Sequence, residues 1–222
     1  MRTSQGYWWC HQQCVDGIVN SVSSEMSTAR RTRKSAEQRR DELLRCAVRV
    51  SVTDGLAAIT LRRVATDLGV TPGLVSHYFS TAEQLVAGTF TSAAESDLER
   101  LLDRAESARP GAATVALIDA VLDDEARQGS ALWLDAWSLG RWNAPLRAEL
   151  TRLDAEWKRR VAELVAADAQ AGTVRITDDA VSTATRLMTM LDGLSVQVVT
   201  RAASQADVRS IAHSYAQLEL GL

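Results

Sequence analysis

Proline occurs only three times in 222 residues, and each time it stands where a helix can begin or a turn can fall. Pro72 follows a threonine, Pro110 precedes Gly111, and Pro145 opens a long apolar-periodic stretch. Proline lacks an N–H and clashes with the preceding turn, so it breaks helix interiors but is tolerated at the first helical position. Everything between these points is free to be helical. From residue 35 onward apolar residues recur three and four apart, as in Leu61, Val64, Ala65 and Leu68, and no period-2 alternation appears. The spacing predicts an all-α chain. With 46% hydrophobic and 24% charged residues it can bury a core as one large domain or two small ones. No apolar run approaches the ~18–20 residues needed to span a bilayer, so an integral membrane protein is excluded.

The expected helices follow from caps and stops. Leu43, Leu44, Ala47 and Val50 line one face of a first helix that stops near Gly55. Thr60 caps a second, short helix that ends at Gly69, and a third follows Val70-Thr71 with Pro72 in its first turn. Ser80 with Glu83 reads as the capping box of a fourth, which runs to about Ala108. Further helices are expected over roughly 112–127, 130–142 and 145–171, and another from Thr177, whose hydroxyl would cap a turn rich in Asp178 and Asp179.

Charge is distributed unevenly. Residues 27–86 carry ten basic against six acidic residues, a net +4, whereas residues 87–222 carry a net −6. A basic segment beside an acidic remainder suits a chain of which one part meets a polyanion, although a solvated basic tail reads the same way. Residues 1–25 differ from the rest. Tyr7-Trp8-Trp9-Cys10-His11 has neither helical period nor the features of a signal peptide, and Met26 opens a more ordinary start. We expect 1–34 to be a disordered or basic extension, with 1–25 outside the functional chain. Cys10, His11 and Cys14 are too few for a convincing metal site, and no metal or cofactor is expected. Three cysteines without a disulfide pattern fit a reducing cytoplasm.

Residues 60–79 combine a helix, a three-residue turn and a second helix. Ala65 is small where the helices cross, Gly69 can take the left-handed turn, and Val70 plugs the core. The second helix offers Thr71, Pro72, Gly73, Leu74, Ser76, His77 and Tyr78 at or near a surface suited to a major groove. An ordinary helical hairpin is the alternative.

At these residues the chain resembles the tetracycline-repressor (TetR) family of bacterial regulators, from about Ser35 to Thr91. The shared wording runs through Thr60, Val64-Ala65, Leu68-Gly69-Val70-Thr71-Pro72-Gly73, Tyr78-Phe79 and Glu83-Gln84-Leu85. Gly73-Leu74-Val75-Ser76-His77-Tyr78-Phe79 is most similar to the BetI-like subgroup, choline-responsive repressors of betaine synthesis. Trp133-Leu134-Asp135-Ala136-Trp137, Asn143-Ala144-Pro145-Leu146-Arg147 and Leu191-Asp192-Gly193-Leu194 add support. The resemblance implies a helix-turn-helix DNA-binding domain over 35–91 and a helical effector-binding and dimerisation domain over 92–222. It implies a homodimer that binds double-stranded, palindromic operator DNA and answers a small molecule. One position departs: Ala82 stands where the family usually has a phosphate-contacting Lys. More of the grip is then expected from Arg39, Arg40, Arg62, Arg63 and the 30–34 arm, with Thr60 at the helix start.

In the C-terminal part Ala184, Leu187, Leu191, Leu194 and Val198 repeat at spacings of three and four, and Val208, Ile211, Tyr215 and Leu218 stripe the final helix. This seam suits packing within one chain or between two; the resemblance implies a four-helix dimer interface, which is the reading adopted. Trp133 and Trp137 lie at i, i+4 with Asp135 and Trp142 near, so a cage for a cationic effector is conceivable beside the plainer reading of core aromatics. The histidines are scattered and no nucleophile motif appears, so an enzyme is not expected. The other function class is an effector-free architectural DNA-binding dimer.

Overall fold

The computed structural model describes residues 35–222, which form helices and no strand. The expectations for Cys10, His11, Cys14, Met26 and the 30–34 arm lie outside the described residues. Ser35 sets the first boundary: its hydroxyl accepts from the Gln38 N–H at 3.1 Å while its own N–H donates to Gln38 Oε1 at 3.0 Å. Helix α1, Ala36–Asp54, then buries Leu43, Leu44, Cys46, Ala47 and Val50. It stops at Gly55, which takes φ +83° and leads into a 3-10 turn, Leu56–Ala58.

Helix α2, Leu61–Leu68, is capped by Thr60, whose hydroxyl accepts from the Arg63 N–H at 3.0 Å. Its end is a Schellman motif: the Val70 N–H reaches Ala65 O at 2.9 Å and the Gly69 N–H reaches Thr66 O at 3.1 Å. That geometry needs a left-handed residue, and Gly69 supplies it at φ +64°. Helix α3, Pro72–Tyr78, starts on the Thr71 cap with proline in its first turn. These boundaries are where caps and stops place them.

Helix α4, Ala82–Glu106, is 25 residues and so about 37 Å long. It runs straight through the boundary expected near residue 91. Its first half (Leu85 to Ala94) packs into a core with α1–α3, whereas Leu98, Leu101, Leu102 and Ala105 belong to a second core. The expected Ser80/Glu83 box is displaced by one residue: Thr81 is the cap, accepting from the Gln84 N–H at 3.2 Å, and Ser80 instead donates its hydroxyl to Gln84 Oε1 at 2.8 Å.

The remaining helices are α5 (Ala113–Val121), α6 (Arg127–Gly140), α7 (Ala144–Gln170), α8 (Ala180–Val199) and α9 (Gln205–Leu220). The helix expected over 112–127 is broken, because Asp123 caps a new 3-10 turn by accepting from the Asp124 N–H. The next-to-last helix starts at Asp179 rather than Thr177; the Asp179 carboxylate takes both the N–H and the hydroxyl of Ser182. Helix α5 has no side-chain cap of its own. Asp168 of α7, 2% exposed, reaches across to accept from the Thr114 N–H at 2.8 Å. Ala136 of α6 and Leu146, Leu150 and Leu153 of α7 join the N-terminal core, so the α1–α3 unit rests on these two helices.

Candidate nucleic-acid interface and effector cavity

Helix α3 has two faces. Val75 and the following Phe79 are buried, whereas Thr71, Pro72, Gly73, Ser76 and His77 face solvent and Leu74 and Tyr78 are half-buried. A side chain at Gly73 would meet nothing nearer than the Thr71 hydroxyl at 4.0 Å, so the backbone at this helix start is bare. His77 and Tyr78 pack edge to face, centroids 5.1 Å apart. The Ser76 hydroxyl donates to Gly73 O at 3.1 Å, which leaves its oxygen free to accept. Thr60 and Thr71 are engaged as caps, so their hydroxyls serve the fold first.

The expected arginines are not equivalent. Arg63 is held by two carboxylates, Asp67 at 2.9 Å and Asp54 at 3.0 Å, which push its guanidinium pKa upward. Arg39 pairs with Glu42 at 2.6 Å. The Arg40 guanidinium lies 5.2 Å over the Phe79 ring. Arg62 is exposed and has no ion pair among the described residues. Arg45 and Arg49, which sequence reasoning passed over, are also exposed on α1.

Between α4, α6, α7 and α8 lies a small cavity of about 50 Å³. Trp133 and Trp137 line it from α6, centroids 5.8 Å apart, and the Trp133 ring meets Phe90 edge to face at 5.0 Å. Trp157 of α7 completes an aromatic wall; it is 5% exposed, and its indole N–H has no acceptor among the described residues. Three carboxylates reach the same space: Asp97, Asp154 and Asp192. Asp154 pairs with Lys158 at 2.7 Å. Burial first, and the Asp154 charge second, push the Asp192 carboxyl up to about 6 against the opposing pull of Lys158.

Two expectations for this site change. Trp142 is 82% exposed at the α6–α7 corner, with Arg141 over its ring, because α6 ends at Gly140 and the chain turns outward. Asp135 does not line the cavity; its carboxylate accepts from the Leu56 N–H at 2.9 Å. Sequence reasoning missed Trp157, Asp154 and Asp192. The available signal was Asp154 and Trp157 three apart on α7, and an acid directly after Leu191 in the apolar α8.

The expected dimer residues also divide. Ala184, Leu187, Leu191 and Leu194 are buried in the chain's own C-terminal core, so their seam is an intrachain one. Val198 and Tyr215 are half-buried, whereas Ile211 and Leu218 are exposed, together with Val181 and Leu222. A three-four repeat cannot distinguish these cases, since any lengthwise helix pair produces it.

A helix-turn-helix head carried on a long helix above a helical cavity is the architecture of a one-component transcriptional regulator. Residues 43–89 match the bacterial regulatory proteins of the tetR family, and residues 110–221 match the BetI-type transcriptional repressor C-terminal family. The chain is 32% identical over 166 residues to the HTH-type transcriptional regulator BetI of Rhizobium meliloti, covering 72% of this chain and 77% of that one. It is 31% identical over 163 residues to the protein of the same name from Paraburkholderia phytofirmans, with coverages of 71% and 80%. Among solved structures, a TetR-family regulator from Rhodococcus sp. superposes with a TM-score of 0.70 at 20% identity, covering 82% of this chain and 98% of that one. A regulator from Saccharomonospora viridis, solved in complex with choline, gives a TM-score of 0.70 at 20% identity, with coverages of 83% and 98%. The chain belongs to the TetR family of transcriptional regulators, with a C-terminal domain of the BetI type; it is a regulator and not an enzyme. No helix among the described residues is long and apolar enough to cross a membrane.

Proposed function

We propose that the chain is a ligand-responsive repressor: a homodimer that grips a palindromic operator through α3 and releases it when a cation fills the tryptophan cavity. The observation that carries the reading is the cavity wall, where Trp133, Trp137 and Trp157 stand with Asp97, Asp154 and Asp192 around one space. Indole faces attract quaternary ammonium groups, and nearby carboxylates add long-range attraction. The choline held by the Saccharomonospora viridis regulator makes choline the first effector to try.

The DNA side of the proposal rests on the outward face of α3 and on Arg40 and Arg62, the expected cations without a carboxylate partner among the described residues. For the dimer, the exposed stripe Ile211, Leu218 and Leu222 on and just beyond α9, with Val181 at the start of α8, is the apolar surface that a second copy would cover. Tryptophan fluorescence during titration tests the cavity. Choline is expected to quench in a saturable way, and Trp137→Ala to weaken it roughly twofold to thirtyfold, the range of about 0.5–2 kcal/mol per aromatic face. Quenching by neutral or anionic compounds alone would remove the cation reading and leave the cavity.

A further inference from the structure

Helix α6 carries the cavity tryptophans on one face and a contact with the α1–α2 turn on the other. At about 100° per residue, Trp133 and Trp137 fall within ~40° of one another, and Asp135 lies on the reverse side. The first face lines the cavity. On the reverse, Asp135 Oδ2 accepts the Leu56 N–H at 2.9 Å, across 79 residues of sequence. Leu56 is fully buried and opens the 3-10 turn that joins α1 to α2. Its N–H is one of the donors that a helical turn leaves without an internal partner, and Asp135 supplies the acceptor.

Gly55 makes this approach possible. Its φ of +83° already disfavours any other residue, and a Cβ there would lie 2.8 Å from Asp135 Oδ2. The carboxylate therefore rests directly on the backbone where α1 ends and the path to the reading helices begins. A hydrogen bond of 2.9 Å has little tolerance: a shift or rotation of α6 of about 1 Å stretches it beyond normal range.

We infer that Asp135 is the positioning residue that couples the cavity to the reading head. It holds the Leu56 turn while the cavity is empty, and it is displaced when an effector shifts Trp133 and Trp137. The inference rests on the effector reading above and assigns the regulation of that site to one carboxylate. Helix α6 carries both contacts, one on each face, and so links occupancy to the α1–α2 turn beside the path through Trp133 and Phe90 of α4. Such a link is a coupling free energy and therefore acts in both directions.

The test compares wild type, Asp135→Ala and Asp135→Asn in three titrations with choline as the probe: operator binding without choline, operator binding with saturating choline, and choline binding without DNA. Wild type is expected to lose operator affinity by about tenfold or more when choline saturates, within the usual range of roughly 5–150-fold for allosteric coupling. Asp135→Ala is expected to bind choline at least as tightly as wild type, since no bond to Leu56 has to be given up, but to show a choline effect on operator binding below about twofold. Asp135→Asn retains an acceptor oxygen and is expected to restore at least part of the coupling. Hydrogen exchange at the Leu56 amide should be slow in wild type, faster with choline, and fast in Asp135→Ala regardless of choline. If both Asp135 variants show the full wild-type choline effect, the inference is overturned and the effector reading stands. If choline leaves wild-type operator binding unchanged, the effector reading is overturned and this inference with it.

Discussion

Residues of one type take different roles according to the neighbours the fold gives them. Arg62 and Arg63 are adjacent in sequence, yet Arg63 is held by Asp54 and Asp67 while Arg62 is exposed without an ion pair among the described residues. Arg62→Ala is therefore expected to weaken binding to all duplexes similarly and to flatten the salt slope by ~0.9, whereas Arg63→Ala should change the slope less. Operator titrations between low and moderate salt check this; equal slopes for the two variants would contradict it. Asp192 carries a second residue-scale prediction. Its carboxyl is pushed up to about 6 by burial, so under the proposed function protons and a cationic effector would compete for it. An acid whose pKa is raised loses its charge as pH falls through that value. Choline affinity is therefore expected to drop by up to about tenfold between pH 7 and pH 5, the share of Asp192 charge lost with a midpoint of about 6. Asp192→Asn should bind choline more weakly at pH 7 and show a flatter pH profile. Titrations at the two pH values measure both.

At the scale of elements, what can be read from sequence depends on how local the signals are. The α2–α3 unit is legible because its signals are local: Thr60 and Thr71 cap, Gly69 turns, and Val70 closes the Schellman loop onto Ala65. The start of α5 is not, because its cap is Asp168, 54 residues away on α7. The cavity is half legible. Trp133 and Trp137 sit four apart on one helix, but Trp157 and Asp192 reach the same space only through packing of α7 and α8. The seam on α8 reads as an interface because Leu187, Leu191 and Leu194 repeat in the same way whichever helix they meet. Ala82 belongs to this scale too. It begins α4 directly after the Thr81 cap, where free N–H groups and the positive helix end favour an anion. Ala82→Lys is expected to tighten operator binding at low salt and to lose that gain as salt rises. No gain at low salt would argue that the start of α4 does not approach the DNA backbone.

The whole molecule joins an acidic, cavity-bearing half to a reading head through α4 and through the packing of that head on α6 and α7; the excess positive charge of the N-terminal part lies in the sequence at 30–34. The repression proposed above requires two heads at fixed spacing, which a two-fold dimer would provide. Leu218 is 83% exposed, and Leu218→Glu is expected to give monomers at micromolar concentration and to lose operator binding with little change in thermal stability. Sedimentation and a melting curve separate that outcome from unfolding. Release in turn requires that the effector bind the non-DNA conformation better, because a ligand with equal affinity for both shifts nothing. The most direct measurement is fluorescence anisotropy of a labelled operator, selected from host genomic fragments, titrated with protein in the absence and presence of saturating choline. The account predicts a two-fold symmetric site bound by a dimer, with an apparent Kd about tenfold or more weaker when choline is present. An unchanged Kd with choline, in a protein whose tryptophan fluorescence shows that choline is bound, would contradict it.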